Sequence, residues 1–143
     1  MKNILFLCTG NSARSIMAEA YMNHAGAKNW RAYSAGSSPT GTVNPYAIET
    51  LSAHNIAPAN EPRSKSWDAF ADTGAPIMDV IVTVCDNAAG ETCPIWPRRE
   101  GQTPTILHWG FPDPAGAENE PAAFKQVFEQ IRSAIDRFLT EQK

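Results

Sequence analysis

The residues from Asn3 to Ser15 read NILFLCTGNSARS, and they contain the transition on which the fold depends. The continuous apolar run that ends at Leu7 is typical of a strand buried on both faces, as in a parallel sheet. Gly10 and Asn11 follow, where a tight loop needs positive φ. From Ser15 onward the apolar residues recur at helical spacing. The stretch therefore predicts a strand, a short loop and a helix in immediate succession.

The rest of the chain repeats this alternation of strands and helices. The other predicted strands are apolar and rich in β-branched residues, and they span Trp30–Ser34, Asp79–Val84 and Thr105–Trp109. Helices are predicted over Asn44–Asn55 and, with the clearest apolar stripe, after the cap residue Asn119. A single helical turn is expected at Trp67–Phe70 and a loop at Asp86–Gly101. The pattern implies a small three-layer α/β fold, with four parallel strands and helices on both faces of the sheet.

Length and composition are those of one ordinary globular domain. The chain has 143 residues, of which 43% are hydrophobic and 19% are charged, and its formal net charge is -3. This balance excludes a strongly basic nucleic-acid-binding protein as the default interpretation. No apolar run approaches the roughly 20 residues of a membrane span, and Ile4–Leu7 is too short for the core of a signal peptide. We therefore expect one cytoplasmic domain over residues 1–143, with no nucleic-acid or membrane partner.

The chain has three cysteines, Cys8, Cys85 and Cys93. Three is an odd number, and in a chain without an export signal a structural disulfide framework is not expected. Together with His108 the cysteines match zinc by ligand type, but the paired short spacings of zinc sites are absent. The sequence therefore predicts neither a bound metal nor a cofactor, and each cysteine has to be interpreted from its own surroundings.

Reactive side chains follow three of the predicted strands. Cys8, Cys85 and Asp113 each lie at, or just past, the carboxyl end of a different strand. Ligands of open α/β sheets bind beyond the carboxyl ends of the strands, and in a parallel sheet these ends share one edge. We therefore expect the three side chains to face a common site.

The loop after Cys8 has the features of an oxyanion cradle. Its backbone N–H groups and the start of the following helix can point inward, and the helix dipole adds positive potential. The planar guanidinium of Arg14 would bind two oxygens of a tetrahedral oxyanion. The same field lowers the pKa of the Cys8 thiol, and Ser15 is placed to hydrogen-bond the thiolate. The predicted substrate-binding residues are Thr9, Gly10, Asn11, Ser12, Ala13, Arg14 and Ser15.

The run CTGNSARSIMAE, from Cys8 to Glu19, resembles the phosphate-loop signature of the low-molecular-weight phosphotyrosine phosphatase superfamily, and within it that of the arsenate reductases that use a thiol relay. The resemblance continues in four further segments, Tyr33–Gly36, Ser64–Asp68, Val82–Asp86 and His108–Ala115. It implies the phosphatase fold with its four-stranded parallel sheet. It also implies that Cys8 is the nucleophile, Arg14 the oxyanion clamp and Asp113 the general acid.

Within this superfamily, Cys85 and Cys93 distinguish a reductase from a phosphatase. Phosphate ester hydrolysis needs only Cys8, Arg14 and an acid. Reduction of arsenate needs two electrons, which the pair Cys8 and Cys85 can supply together: Cys85 attacks the arsenic-bearing Cys8, and a Cys8–Cys85 disulfide remains as arsenite departs. Cys93 could then attack Cys85 and move the disulfide outward, to thioredoxin or to glutaredoxin with glutathione. Cys93 lies eight positions after Cys85, and this spacing leaves the choice of reductant open.

Ala115 also bears on the substrate. Phosphotyrosine phosphatases of this fold usually have an aromatic residue after the Asp-Pro pair, where it stacks on the substrate ring, and here the residue is alanine. A small inorganic oxyanion is therefore favoured over an aryl phosphate. The predicted function is reduction of arsenate to arsenite in arsenic detoxification. The alternatives are a phosphatase acting on phosphotyrosine or another phosphomonoester, and a non-catalytic oxyanion-binding or redox-responsive regulator.

The resemblance raises one question about a cation. Some members of the superfamily bind a potassium ion near the loop, through residues that match Asn11, Glu19 and Ser34. In this chain Lys65 could place an ammonium group there instead, so that the sequence leaves the presence of the ion open.

Overall fold

The computed structural model describes residues 2–58, 63–71, 74–84 and 104–141. Its centre is a four-stranded parallel sheet in the order β2-β1-β3-β4, formed by β1 (Lys2–Leu7), β2 (Trp30–Ala35), β3 (Val80–Thr83) and β4 (Thr105–His108). Both the number of strands and their parallel direction were predicted from the apolar runs, and both predictions are confirmed. At each strand end, the observed and predicted bounds differ by no more than one residue.

Three α-helices accompany the sheet, α1 (Arg14–Ala25), α2 (Pro45–Ala53) and α3 (Glu120–Glu141), and a 3-10 turn is found at Trp67–Phe70. The predicted caps are confirmed. The side chain of Asn44 accepts a hydrogen bond from the Tyr46 N–H at 2.9 Å, and that of Asn119 accepts one from the Ala122 N–H at 3.3 Å. Among the described residues, no helix combines the length and the apolar character that crossing a membrane requires. The predicted loop at Asp86–Gly101 lies outside the described residues.

The sheet has an apolar core on each face. Alternate residues of a strand point to opposite faces, so Phe6 packs with the three α-helices while its neighbour Leu7 packs with Phe70 of the 3-10 turn. The stripe on α3 is confirmed: its fully or nearly fully buried residues are Phe124, Val127, Phe128, Ile131, Ile135 and Phe138. In the described part of the chain, the three α-helices therefore cover one face of the sheet, and the other face is covered by the 3-10 turn.

The strand ends bring two of the predicted reactive segments to one edge. Beyond β1 and β3, the Val84 N–H still donates to the Leu7 carbonyl at 2.8 Å. Beyond β4, the N–H groups of Trp109 and Phe111 donate to the carbonyls of Thr83 and Val84, at 2.8 Å and 3.1 Å. The loop after Cys8 and the segment that carries Asp113 therefore lie at the same carboxyl edge of the sheet.

Candidate active site

Cys8 directly follows β1, and it is 5% exposed. Its N–H donates to the Ala35 carbonyl at 3.2 Å, which continues the pairing of β1 with β2 by one residue. The loop then turns at Asn11, whose φ of 44° lies in the left-handed region that the sequence led us to expect. The same expectation is wrong for Gly10, which is not among the glycines with positive φ, so that Asn11 alone makes the left-handed turn of this loop. The side chain of Asn11 supports this turn, because its Nδ2 donates to Ser15 Oγ at 2.8 Å.

The carbonyl groups of the loop are bonded to neighbouring segments. The Thr9 carbonyl accepts from Ser38 N at 3.0 Å, and the Ser12 carbonyl accepts from Asn44 N at 2.8 Å. The Gly10 carbonyl accepts from both Thr40 N and Ser64 Oγ, each at 3.1 Å. In a trans peptide the N–H points opposite to the carbonyl, so the N–H groups that follow these carbonyls turn toward the inside of the loop. Inward N–H groups form the concave anion-binding arrangement that the loop was predicted to adopt.

Gly36 lets the loop approach β2 closely. A Cβ atom at this position would overlap the carbonyl oxygens of Cys8 and Thr9. The backbone of Gly36 also pairs with the segment Ser64–Trp67, since its N–H donates to the Lys65 carbonyl and its carbonyl accepts from the Trp67 N–H, both at 2.9 Å. The end of β2 therefore supports the loop from behind.

Helix α1 begins at the end of the loop, and its own first turn does not neutralise its positive end. Ala13 at its cap position has no side-chain hydrogen bond to the helix, and the first turn carries no acidic residue. The first N–H groups of such a helix and its dipole favour an anion.

The side chain of Arg14 joins this loop to the segment that carries Asp113. Its Nη1 donates to the Phe111 carbonyl at 2.9 Å, and its Nη2 lies 3.7 Å from Asp113 Oδ2. Its Nε is buried and has no hydrogen-bond partner among the described residues. A buried donor without an acceptor is costly, and an oxyanion in the loop would supply the acceptor. The Phe111 carbonyl was not foreseen, because a backbone group leaves no signal in the sequence.

Asp113 is much more open than Arg14. Its side chain is 58% exposed, against 15% for Arg14. Its Oδ1 accepts a hydrogen bond from the Ala115 N–H at 3.0 Å, which orients the carboxyl group in the turn after Pro112. The structure thus brings Asp113 beside the Arg14 guanidinium, while one side of the carboxyl group faces solvent.

A polar cluster lies behind the loop, formed by Glu19, Ser34 and Lys65. Ser34 Oγ donates to Glu19 Oε1 at 3.0 Å, and Lys65 Nζ lies 3.6 Å from the same oxygen. Burial raises the pKa of the Glu19 carboxyl, although the Lys65 ammonium opposes the shift. Burial likewise lowers the pKa of Lys65, opposed by Glu19. The Lys65 ammonium therefore lies beside Glu19 and Ser34, two of the residues near which the sequence left the presence of a potassium ion undecided.

Two predicted site residues, Cys85 and Cys93, lie outside the described residues. The chain is described up to Val84, one residue before Cys85. In the ranges that the structure describes, no three side chains of His, Cys, Asp or Glu come together as metal ligands would. The predicted substrate-binding residues, Thr9 to Ser15, are all described: Thr9–Ala13 form the loop, and Arg14 and Ser15 are the first residues of α1.

A family model described as low molecular weight phosphotyrosine protein phosphatase matches residues 3–143. The chain belongs to this family. An arsenate reductase of Bacillus cereus (strain 03BB102) is 41% identical to it over 137 residues, which are 96% of this chain and 93% of the relative. The family that the motif of residues 8–19 indicated is thereby confirmed.

Solved structures agree with the fold. One, described as an arsenate reductase in the phosphate binding state, has a TM-score of 0.78 and 25% identity, covering 99% of this chain and 98% of its own. A low molecular weight protein tyrosine phosphatase from T. tengcongensis has a TM-score of 0.73 and 24% identity, covering 99% of both chains. The predicted fold, a phosphatase-like four-stranded parallel sheet, is therefore confirmed.

Proposed function

We propose that this protein reduces arsenate to arsenite through a thiol relay, as part of arsenic detoxification. The observation that carries the proposal is the buried Nε of Arg14, which has no partner among the described residues and lies in a loop with inward N–H groups after Cys8. This arrangement suits a tetrahedral oxyanion beside a nucleophilic sulfur. Similarity over 96% of the chain to a protein named arsenate reductase selects arsenate among such oxyanions.

In the first step the oxyanion binds in the loop. The N–H groups of Thr9–Ser15, the positive end of α1 and Arg14 compensate its charge, and they favour the thiolate form of Cys8. The Phe111 carbonyl holds Nη1 of the guanidinium at 2.9 Å, and Nε, which has no partner among the described residues, remains available to the oxyanion. Binding therefore costs little reorganisation of the protein.

In the second step the Cys8 thiolate attacks arsenic and an oxygen leaves. Asp113 protonates the departing oxygen as a general acid, so that it leaves as water. The product is a covalent adduct in which arsenic is still As(V) and is bonded to the sulfur of Cys8. The exposed side of Asp113 allows it to recover a proton from solvent before the next turnover.

In the third step Cys85 attacks the sulfur of Cys8. The sulfur–arsenic bond breaks and its electron pair goes to arsenic, which leaves as arsenite, As(III), while Cys8 and Cys85 form a disulfide. Cys93 then attacks Cys85, which releases Cys8 as a thiolate and leaves a Cys85–Cys93 disulfide. An external dithiol, either thioredoxin or glutaredoxin with glutathione, supplies the two electrons that restore the enzyme.

The surroundings of Asp113 favour a small inorganic substrate. Pro114 is followed by Ala115, whose methyl group cannot stack on an aryl ring. A cytoplasmic location fits the relay, because cytosolic thiols are kept reduced by the glutathione and thioredoxin systems. We place the whole reaction in one domain over residues 1–143.

The test is arsenite production, measured in parallel with thioredoxin and its reductase, and with glutathione and glutaredoxin. Both assays contain NADPH, and the glutathione assay also contains glutathione reductase. We expect one arsenite per NADPH consumed with one of the two donors. Cys93→Ser should stop multiple turnovers with that donor and keep a slow hydrolysis of p-nitrophenyl phosphate. Multiple-turnover phosphatase activity without arsenite from either donor would overturn the proposal in favour of a phosphatase.

A further inference from the structure

The ammonium group of Lys65 is surrounded by oxygen atoms. It donates to the Arg63 carbonyl at 3.0 Å and to Ser34 Oγ at 3.4 Å, and it lies 3.6 Å from Glu19 Oε1. Ser34 is fully buried, and the side chains of Glu19 and Lys65 are both largely buried. A carbonyl, a hydroxyl and a carboxylate are the kinds of oxygen that hard metal cations take as ligands.

Lys65 also holds the phosphate-binding loop through its backbone. Its N–H donates to Asn11 Oδ1 at 2.8 Å, and its carbonyl accepts from the Gly36 N–H at 2.9 Å. Asn11 in turn donates from Nδ2 to Ser15 Oγ, which leaves the hydroxyl hydrogen of Ser15 for another acceptor. Lys65 therefore connects the polar cluster behind the loop with Asn11, the residue that makes the left-handed turn of the loop.

This geometry does not fit a resident potassium ion. The resemblance implies such an ion in some relatives, near the residues that match Asn11, Glu19 and Ser34. Here Asn11 Oδ1 already accepts from the Lys65 N–H, and the oxygens of Glu19 and Ser34 already face the Lys65 ammonium. A metal cation in the same cluster would be repelled by the ammonium charge and would compete with it for these oxygens.

We propose that Lys65 is a built-in monovalent cation, a positioning residue that fixes the phosphate-binding loop without a dissociable metal. Its ammonium neutralises the buried carboxylate of Glu19, whose charge would otherwise be costly. The pair carries no net charge, so it adds little field at Cys8, and its role is to hold Asn11 and the end of β2 in place. The inference deepens the proposed function, but it concerns oxyanion binding in the loop and does not depend on the relay.

The experiment measures the affinity for inorganic phosphate by calorimetry, together with arsenate reduction, in chloride salts of sodium, potassium or tetramethylammonium at equal ionic strength. The wild-type protein should give the same affinity and the same kcat and KM in all three salts. Lys65→Ala should lose on the order of 10-fold to 100-fold in phosphate affinity in tetramethylammonium, as a displaced loop would. Potassium, or ammonium added as a fourth salt, should restore part of this loss.

Two further variants separate a positioning role from a merely structural one. Lys125→Ala removes an exposed lysine of α3 and should change neither the affinity nor its response to salts. The double variant Glu19→Gln with Lys65→Met removes both charges, so it should melt at a higher temperature than Lys65→Met alone. Its phosphate affinity should be the same in all the salts.

Two results would overturn the inference: activation of the wild-type protein by potassium, or a defect of Lys65→Ala that is the same in every salt. If Lys65→Ala does not fold, the wild-type protein and the double variant still test the inference, because a dependence of phosphate affinity on potassium in either protein would overturn it. Phosphate binding that behaves as expected in a protein that forms no arsenite would refute the proposed function and leave the role of Lys65 standing.

Discussion

The two halves of the candidate site are held in different ways. In the segment from Cys8 to Ser15, Asn11 and Ser15 are fully buried, and the carbonyls of Thr9, Gly10 and Ser12 accept hydrogen bonds from neighbouring segments. The second half, residues 109–115, is anchored at its start by backbone hydrogen bonds, but the Asp113 side chain is 58% exposed. Its contact with Arg14, at 3.7 Å, is longer than a hydrogen bond. One half is therefore held by hydrogen bonds to several neighbouring segments, and the other ends in an exposed carboxyl group.

This difference separates binding from proton transfer. Donors that are oriented before the ligand arrives compensate its charge without reorganisation, which is the task of the loop. A general acid has to exchange protons with solvent between turnovers, and its hydrogen bonds are often long until the substrate is bound. Changes in the loop should therefore alter oxyanion affinity, whereas changes at Asp113 should alter the chemical step.

The largest effect is expected from Cys8→Ser. A serine hydroxyl is not ionised near neutral pH, so the variant should form no arsenite and hydrolyse no p-nitrophenyl phosphate. The backbone donors and Arg14 remain, and calorimetry should still detect binding of inorganic phosphate. Arsenite formation at a measurable fraction of the wild-type rate would place the nucleophile elsewhere in the chain.

Asp113→Asn tests the open half of the site. The amide keeps the shape and the acceptor for the Ala115 N–H but cannot donate a proton as an acid does. The single-turnover rate should fall on the order of 10²–10⁴. Phosphate affinity should stay within about a factor of three of the wild type, since the charge of Asp113 is exposed. A comparable loss in affinity would contradict the division between binding and proton transfer.

Gly36→Ala tests how the end of β2 supports the loop after Cys8. The new methyl group would overlap the carbonyl oxygens of Cys8 and Thr9, so the loop or the end of β2 must shift. We expect the free energy of unfolding to fall by about 1–3 kcal/mol, as in other overpacked sites. Phosphate affinity should fall with it, on the order of 10²-fold. Urea unfolding and calorimetry measure the two losses.

Gly74→Ala is the matched control for this glycine. A Cβ atom at position 74 meets no heavy atom within 4 Å among the described residues. The control should retain both stability and phosphate affinity. Equal losses in the two variants would mean that close packing at Gly36 does not fix the loop.

The fold was predictable because its signals are local. An apolar run of four residues, a cap at Asn44 and the stripe on α3 are each contained within a few turns or one strand, and each predicted element was found. The carboxyl edge followed from the parallel direction of the strands. The loop from Cys8 to Arg14 was recognisable because turn residues, nucleophile and helix start are contiguous in the sequence.

The parts of the site that were missed are long-range contacts. The Phe111 carbonyl is 97 residues from Arg14 and uses a backbone atom that every residue has. Gly36 contacts the loop through the absence of a side chain, and glycine is equally frequent in turns that approach nothing. The contact of Lys65 with Glu19 was suggested by the resemblance, but its distance and burial required the fold.

The smallest effect is expected at Tyr21, which links α1 to α3 away from the ligand. Its hydroxyl donates to Asp136 Oδ1 at 2.6 Å, and burial together with this neighbouring carboxylate raises the pKa of Tyr21 to about 12. The ordinary pKa of tyrosine, which applies to the unfolded chain, is about 10. The unfolded chain therefore ionises first, and the stability from this group is complete below pH 10 and is lost as the pH rises toward 12.

Tyr21→Phe should remove this alkaline loss. At pH 8 the variant should be less stable than the wild type by about 1 kcal/mol, the usual net value of one hydrogen bond. The difference should shrink between pH 10 and 12, and phosphate affinity at pH 8 should not change, because the loop keeps its own supports. Urea unfolding at several pH values measures the slope. Parallel pH dependences of the two proteins would show that Tyr21 does not titrate in this window, and a loss of phosphate affinity would show that the loop depends on the packing of α1 against α3.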